Sequence, residues 1–329
     1  MNYCLFKLSF SAPLHIGDSS SARSLETQTL SLCADTVFSA ICSTAPECAE
    51  DFARKANAGE LLLSDTFPYN GDVLYIPKPY ITSSDAAAEQ QQNEENSSVK
   101  KKKMKKLKYI PVSMLSVFFG SVEGKNDFDP SKIDNNFGNE NITTRAAVRG
   151  KEETLPYSVA SFSFKLGCGL YFIVGYKEKD DADKLEKILN ALGLGGIGGK
   201  VSSGYGKFSV DEKIELTNKE NQTADAGCLA KMLSVNDGKS ILLTAALPRN
   251  DDELESALEG ASYNLIRRGG FVFSDKMKKL VKKDTQFFFA AGSVFENRFI
   301  GAVYNVLENS EHPVYRYSKP IFLGVSQHG

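Results

Sequence analysis

The 329-residue sequence predicts an α+β fold, and three observations carry that expectation. Residues 3–10 alternate Leu5, Lys7 and Ser9 with Cys4, Phe6, Leu8 and Phe10, the period of a strand. Leu185, Ile188, Leu189 and Leu192 fall at i, i+3, i+4 and i+7, the apolar stripe of a helix packed on one side. The run Leu170-Tyr171-Phe172-Ile173-Val174-Gly175-Tyr176 is almost continuously apolar, as a central strand covered on both faces would be.

At roughly 150 residues per domain the chain is long enough for two cores. Hydrophobic residues make up 42% and charged residues 24%, ordinary globular usage that excludes bulk disorder, collagen and coiled coil. Thirty-nine Lys and Arg stand against 41 Asp and Glu, so a polyanion site would have to come from local clustering. No apolar run reaches the ~18 residues of a membrane span, and the alternating N-terminus is unlike a signal peptide. Six scattered cysteines without a CxxC pair predict a reduced, cytoplasmic protein. His15, His312 and His328 lack metal-ligand spacing, so neither zinc nor any other cofactor is expected.

In chain order, the first strand leads into a loop through Pro13, His15 and Gly17, and Ala34, Val37, Phe38 and Ile41 predict a helix over 33–45. Val73–Pro77 reads as a short strand. Residues 82–99 carry no large apolar side chain before Val99, and Lys100–Lys108 holds seven lysines in nine residues, which together predict a mobile insertion. The pattern stays weak from about 110 to 155 and returns at Leu155–Phe164. Asp180 or Asp181 is placed to cap the striped helix, and Gly193 to end it with a positive φ.

A glycine-rich loop (193–206) follows, and then a strand from Phe208. After a polar stretch at 217–226, Ile241–Leu247 reads as a strand and 250–260 as a helix with Leu254 and Leu258 inward. Residues 261–274 read as two strand pieces bent at Gly269-Gly270, and Phe287–Phe295 and Tyr315–Val325 as the closing strands. The expected architecture is two tandem ferredoxin-like (RRM-like) βαββαβ units. The first spans 1–215, with the insertion at about 80–155, and the second spans 216–329.

The loop Gly193-Leu194-Gly195-Gly196-Ile197-Gly198 satisfies GxGxxG, yet it follows a helix and precedes a strand, the reverse of a dinucleotide fingerprint. Val201 after Lys200 also rules out a P-loop. What remains is a bend whose backbone N–H groups could converge on an anion, flanked by Lys200, Ser202, Ser203, Tyr205 and Lys207. The alternative is a tight connection whose glycines serve packing only. Arg267-Arg268 beside Gly269-Gly270 offers planar donors at a bend. Lys276–Lys283 reads as a solvated lysine face or a contact with RNA or an acidic partner, Asp35 as a helix carboxylate or a polar ridge, and Arg316 with Tyr317 as a cation–aromatic pair or a core strand with one exposed arginine.

The mid-chain glycine loop with Pro13-Leu14-His15-Ile16-Gly17 resembles the RAMP (repeat-associated mysterious protein) superfamily of CRISPR systems. Asp35–Ile41, Leu63–Tyr69, Tyr75–Pro79, Gly292–Phe295 and His312–Pro320 narrow the resemblance to the family of fourth subunits of type III-A (Csm) effector complexes, from end to end except 82–108 and parts of 120–140. The resemblance implies a noncatalytic subunit. It would grip the repeat-derived 5′ handle of crRNA and adjoin the large polymerase/cyclase-like subunit and a backbone RAMP subunit. It implies that Lys200, Ser202, Ser203 and Tyr205 face the handle and that Asn141, Ile142 and Arg145 lie in a thumb-like segment. With the reading of residue types this gives an RNA-facing set of His15, Gly17, Arg145, Gly198, Gly199, Lys200, Ser202, Ser203, Gly204, Tyr205, Lys207, Arg267 and Arg268. RAMP endoribonucleases use an N-terminal histidine as general base without metal, so a second reading makes His15 catalytic. A third makes the chain a protein scaffold without RNA contact.

Overall fold

The computed structural model describes residues 1–17, 23–81, 102–147, 154–216, 223–272, 281–307 and 313–325. The N-terminal half runs β1 (Asn2–Phe10), α1 (Ala34–Thr44), α2 (Ala49–Asn57), β2 (Leu61–Leu63), β3 (Phe67–Asn70), β4 (Val73–Pro77), β5 (Tyr109–Pro111), α3 (Leu115–Val122), β6 (Gly138–Ala147), β7 (Leu155–Phe164), β8 (Cys168–Tyr176), α4 (Lys179–Gly195) and β9 (Phe208–Glu215). The C-terminal half runs α5 (Ala224–Ser234), β10 (Ser240–Leu242), α6 (Asp251–Leu258), β11 (Leu265–Arg268), β12 (Phe271–Val272), β13 (Val281–Lys282), β14 (Gln286–Phe289), β15 (Val294–Phe295), β16 (Ala302–Asn305), β17 (Tyr315–Ser318) and β18 (Phe322–Gly324).

One antiparallel sheet organises the molecule, in the order β5-β4-β3-β8-β1-β9, with β2 also paired to β8. Every residue of β8 is buried because the strand is covered twice. Leu170, Phe172 and Val174 meet Phe38 and Ile41 of α1 and Leu185 and Leu189 of α4. Tyr171 and Ile173 point the other way, into a core shared with Leu229 of α5, Ile241 and Leu323. That double cover is why the strand reads as a continuous apolar run. The striped helix forms as expected but continues past Gly193 to Gly195; the positive φ falls at Gly196, and Glu178 rather than an aspartate holds the N-cap position. Gly193 is needed inside the helix because a Cβ there would lie 2.2 Å from the Phe208 carbonyl oxygen.

The segment with the weakest pattern contains one strand of the longest ladder. β6 and β7 pair residue for residue from Gly138↔Phe164 to Ala147↔Leu155 and pair with no other named strand. They form a ribbon that is pinned at its base, where Leu14 and Phe162 exchange backbone bonds and Phe10 stacks on Phe164. Farther out, Ile142 is 70% and Leu155 65% exposed. The exposed β6 has no buried side to impose alternation, so its sequence gives no period-2 signal.

The C-terminal half departs from a second complete βαββαβ unit. β15, β10 and β18 form a three-stranded sheet, β14 reaches it through the Ala246↔Phe289 bridge, and β11 pairs β14. Among the described residues, the hairpin β16–β17 stands between β15 and β18 in place of a helix. Pro320, which has no N–H to donate, separates β17 from β18 and splits the single closing strand expected there. α6 turns Ala257 inward and leaves Leu258 39% exposed, against expectation. The two halves are stitched through 63–66: Asp65 N–H donates to the Leu243 carbonyl, Thr244 to the Leu63 carbonyl, and Leu63 N–H to the Tyr317 hydroxyl. Tyr317 therefore sits in the first core against Phe38, and Arg316 is buried rather than exposed.

The end of the lysine insertion is anchored. Leu107 is buried in the second core, Lys78 donates to the Met104 carbonyl at 2.7 Å, and Pro77 pairs Tyr109. Residues 82–101, the lysines 276–280, His312 and His328 lie outside the described residues. No helix among the described residues is long and apolar enough to cross a membrane.

Candidate nucleic-acid interface

The glycine loop leaves α4, turns at Gly196 and Gly198 with φ near 96° and 93°, passes a 3-10 turn at Val201–Ser203 and enters β9 through Gly206. Its inner side is closely packed. Gly199 N–H donates to the His15 carbonyl and Gly206 N–H to the Pro13 carbonyl, so the loop lies directly on the 13–15 stretch. A Cβ on Gly206 would come within 1.9 Å of the Ile197 carbonyl oxygen, and one on Gly199 within 2.6 Å of His15 Cδ2. Ile197, Ser203, Gly204 and Tyr205 also donate their N–H groups within the loop. These glycines serve close packing, and most amides expected to cradle an anion are already committed. Any contact with a polyanion falls mainly to side chains at the exposed tip, where Ser202, Ser203 and Gly204 lie, and at Lys200 and Lys207 beside it.

The ribbon meets this loop. Arg145 of β6 stacks its guanidinium 5.0 Å from the Tyr205 ring centroid and donates to the Tyr205 hydroxyl at 3.1 Å. Lys200, held in the left-handed region at φ 63°, places its ammonium 5.0 Å from the centroid of Tyr157 on β7. Arg145 and Tyr157 are direct cross-strand partners. Two cations and two aromatic rings are thereby gathered from three separate stretches of chain, each cation over a ring face where the quadrupole attracts it. Tyr157 is the member that the sequence did not single out. Its signal, an aromatic opposite Arg145, becomes legible only once the ribbon register is known.

His15 is beneath the loop, 4% exposed. Its Nδ1 lies 2.6 Å from the Ala160 carbonyl of β7, and since a carbonyl only accepts, Nδ1 carries the proton. One ring nitrogen is thus spent orienting the ribbon base, and the ring edge is covered by Gly199. This geometry makes His15 a joint between ribbon and loop.

The remaining expected residues lie elsewhere. Gly17, Arg267 and Arg268 line a separate cleft. Arg268 forms a bidentate pair with Asp35, Nε to Oδ2 at 3.1 Å and Nη2 to Oδ1 at 2.6 Å, and also donates to Thr36. Its guanidinium is occupied in joining β11 to the first turn of α1, which explains both Arg268 and Asp35 without RNA. Arg316 reinforces this junction by donating to the Arg268 and Asp284 carbonyls. Asn141 and Ile142 are exposed on the ribbon. Among the described residues no group of three or more His, Cys, Asp or Glu side chains is arranged to hold a metal.

Two family models match the chain, the RAMP superfamily over residues 7–209 and the CRISPR Csm4 C-terminal domain over 236–325. The chain is 32% identical to the CRISPR system Cms protein Csm4 of Mycobacterium tuberculosis H37Rv, across 99% of both chains, and 27% identical to that of Streptococcus thermophilus, across 98% of both. Among solved structures it resembles a chain of the Csm3–Csm4 subcomplex of the type III-A interference complex (TM-score 0.61, 18% identity, 99% and 100% coverage). It also resembles one of a Csm1–Csm4 cassette in complex with pppApA (TM-score 0.60, 20% identity, 99% and 98% coverage).

Proposed function

The chain belongs to the Csm4 family of the RAMP superfamily, and from that premise we propose that it is a noncatalytic, cytosolic crRNA-binding subunit of a type III-A CRISPR effector complex. It caps the 5′ repeat-derived handle and adjoins a Csm1-type polymerase/cyclase-like subunit and a Csm3-type backbone subunit. The complexes named for its structural neighbours support those partners, and six free cysteines support a reducing compartment. The order β9-β1-β8-β3 with α1 and α4 on one face supports a ferredoxin-like N-terminal unit.

The observation that carries the RNA reading is the cluster of Arg145, Tyr157, Lys200 and Tyr205 where ribbon and loop meet. Guanidinium and ammonium groups serve phosphates, and aromatic faces beside them serve unstacked bases. The exposed ribbon supplies a projection that can lie along a single strand. A noncatalytic role is supported by the burial of His15, 4% exposed beneath the loop, since a general base must reach the proton it takes.

Charge reversal at both cations, Arg145→Glu with Lys200→Glu, tests this in the assembled complex. The crRNA that copurifies should fall to about a fifth or less, and the loss should deepen with added salt because phosphate contacts release counterions. Unchanged guide content with intact subunit composition contradicts the assignment.

A further inference from the structure

A cleft of about 690 Å³ opens where the 16–17 stretch, β4, the lysine segment 102–108 and β11 come together. Lys78, Lys105 and Lys108 line one side and Arg267 the other. Arg268 lines it too, but its charge is matched by Asp35. Asp65 is the one acidic side chain among the described lining residues, and its Oδ1 is turned to the Ala34 and Ala245 N–H groups. The lining is therefore strongly cationic. It is also partly apolar: Tyr80 and Tyr109 line it, and Tyr80 is 38% and Leu265 48% exposed.

The lysine segment forms this wall because it is fastened there. Besides the Lys78 to Met104 bond and the burial of Leu107, Lys78 N–H donates to the Lys108 carbonyl at 2.9 Å. Lys105 and Lys108 are exposed toward solvent at a fixed place. The volume lies within the roughly 300–1,000 Å³ range of small-ligand sites, room for about one or two nucleotides. Lysines beside aromatic side chains, with Asp65 the one acidic residue in the described lining, suit phosphate and base together. An acidic peptide would use the cations and leave the rings idle.

We propose that this cleft binds one or two nucleotides of single-stranded RNA, with the lysine insertion as its cationic wall, as a second site apart from the ribbon–loop cluster. It rests on the reading of the chain as an RNA-binding subunit. Lys105 and Lys108 hold phosphates, and Tyr80 offers a stacking face.

The test measures anisotropy of a fluorescein-labelled single-stranded RNA octamer with the full chain. Lys105→Glu with Lys108→Glu should weaken binding about fivefold or more and lower the salt slope by about 1.4, from ~0.7 per lost phosphate contact. Lys102→Glu with Lys103→Glu, reversing two exposed lysines of the same helical turn that do not line the cleft, should leave affinity within about twofold, the range expected of a weak surface charge effect. Equal loss in both doubles, no loss in either, or no binding by the unsubstituted chain overturns the proposal. So does displacement of the octamer by AMP or by polyglutamate at equal concentration, which would assign the cleft to free nucleotides or to acidic peptides. Guide retention after Arg145→Glu with Lys200→Glu in the assembled complex judges the ribbon–loop reading separately, so either can fail alone.

Discussion

Asp65 shows how one side chain at the junction of the halves acts on stability. Burial pushes its carboxyl up to about 7, against the pull of the Ala245 and Ala34 N–H groups that bond Oδ1. A raised pKa means that folding favours the protonated acid. The stability this group contributes is complete below about 4, where the unfolded chain is protonated as well, and is lost as pH rises to about 7. Asp65→Asn keeps an oxygen for both N–H groups and cannot ionise. Its melting temperature should therefore gain on that of the unsubstituted chain across that interval, as thermal unfolding at a series of pH values would reveal; a constant difference would contradict the assignment. The sequence marked Asp65 only as part of a family-like string, Leu63–Tyr69, and its environment comes from Ala34 and Ala245, distant in sequence. The glycines near 193–206 were legible as a bend, but whether their amides faced outward depended on the 13–15 stretch that packs on them.

Elements were legible where burial imposes a period. β1, α1, β8 and α4 follow their apolar patterns closely, because each has a face or both faces against a core. In the ribbon, β7 was legible at Leu155–Phe164, where its inner part is buried, whereas the exposed β6 lacks that constraint and was unreadable, although the ribbon carries half of the candidate interface. α5 was also passed over: Thr223 caps it, accepting from Ala226 N–H, and Leu229 and Leu233 face inward, but a polar stretch masks its start. The contact between α1 and β11 is a long-range pairing, 233 residues apart, that no local pattern announces. Breaking a largely buried bidentate pair leaves a charge without its partner, so Arg268→Ala should destabilise the fold by about 3 kcal/mol. In a double-mutant cycle, adding Asp35→Ala should cost much less than it does alone. Additive losses in denaturant unfolding would show that the pair contributes nothing specific.

Across the whole molecule the halves share their cores, with Tyr317 under α1 and Ile241 and Leu323 against the main sheet. The C-terminal half therefore braces the sheet from which ribbon and glycine loop arise, and both arms of the candidate interface are fixed to one scaffold. Burial of β8 on two faces announced this in the sequence; the identity of the covering layer did not, because apolar runs do not name their partners. The central claim is that the ribbon–loop cluster holds the guide's 5′ handle. Its most direct test is photocrosslinking of a complex assembled on crRNA carrying 4-thiouridine in the handle, with adducts mapped by mass spectrometry. The account predicts adducts on peptides containing Tyr157 and Tyr205, lost with Arg145→Glu and Lys200→Glu. Handle adducts confined to other subunits would contradict it.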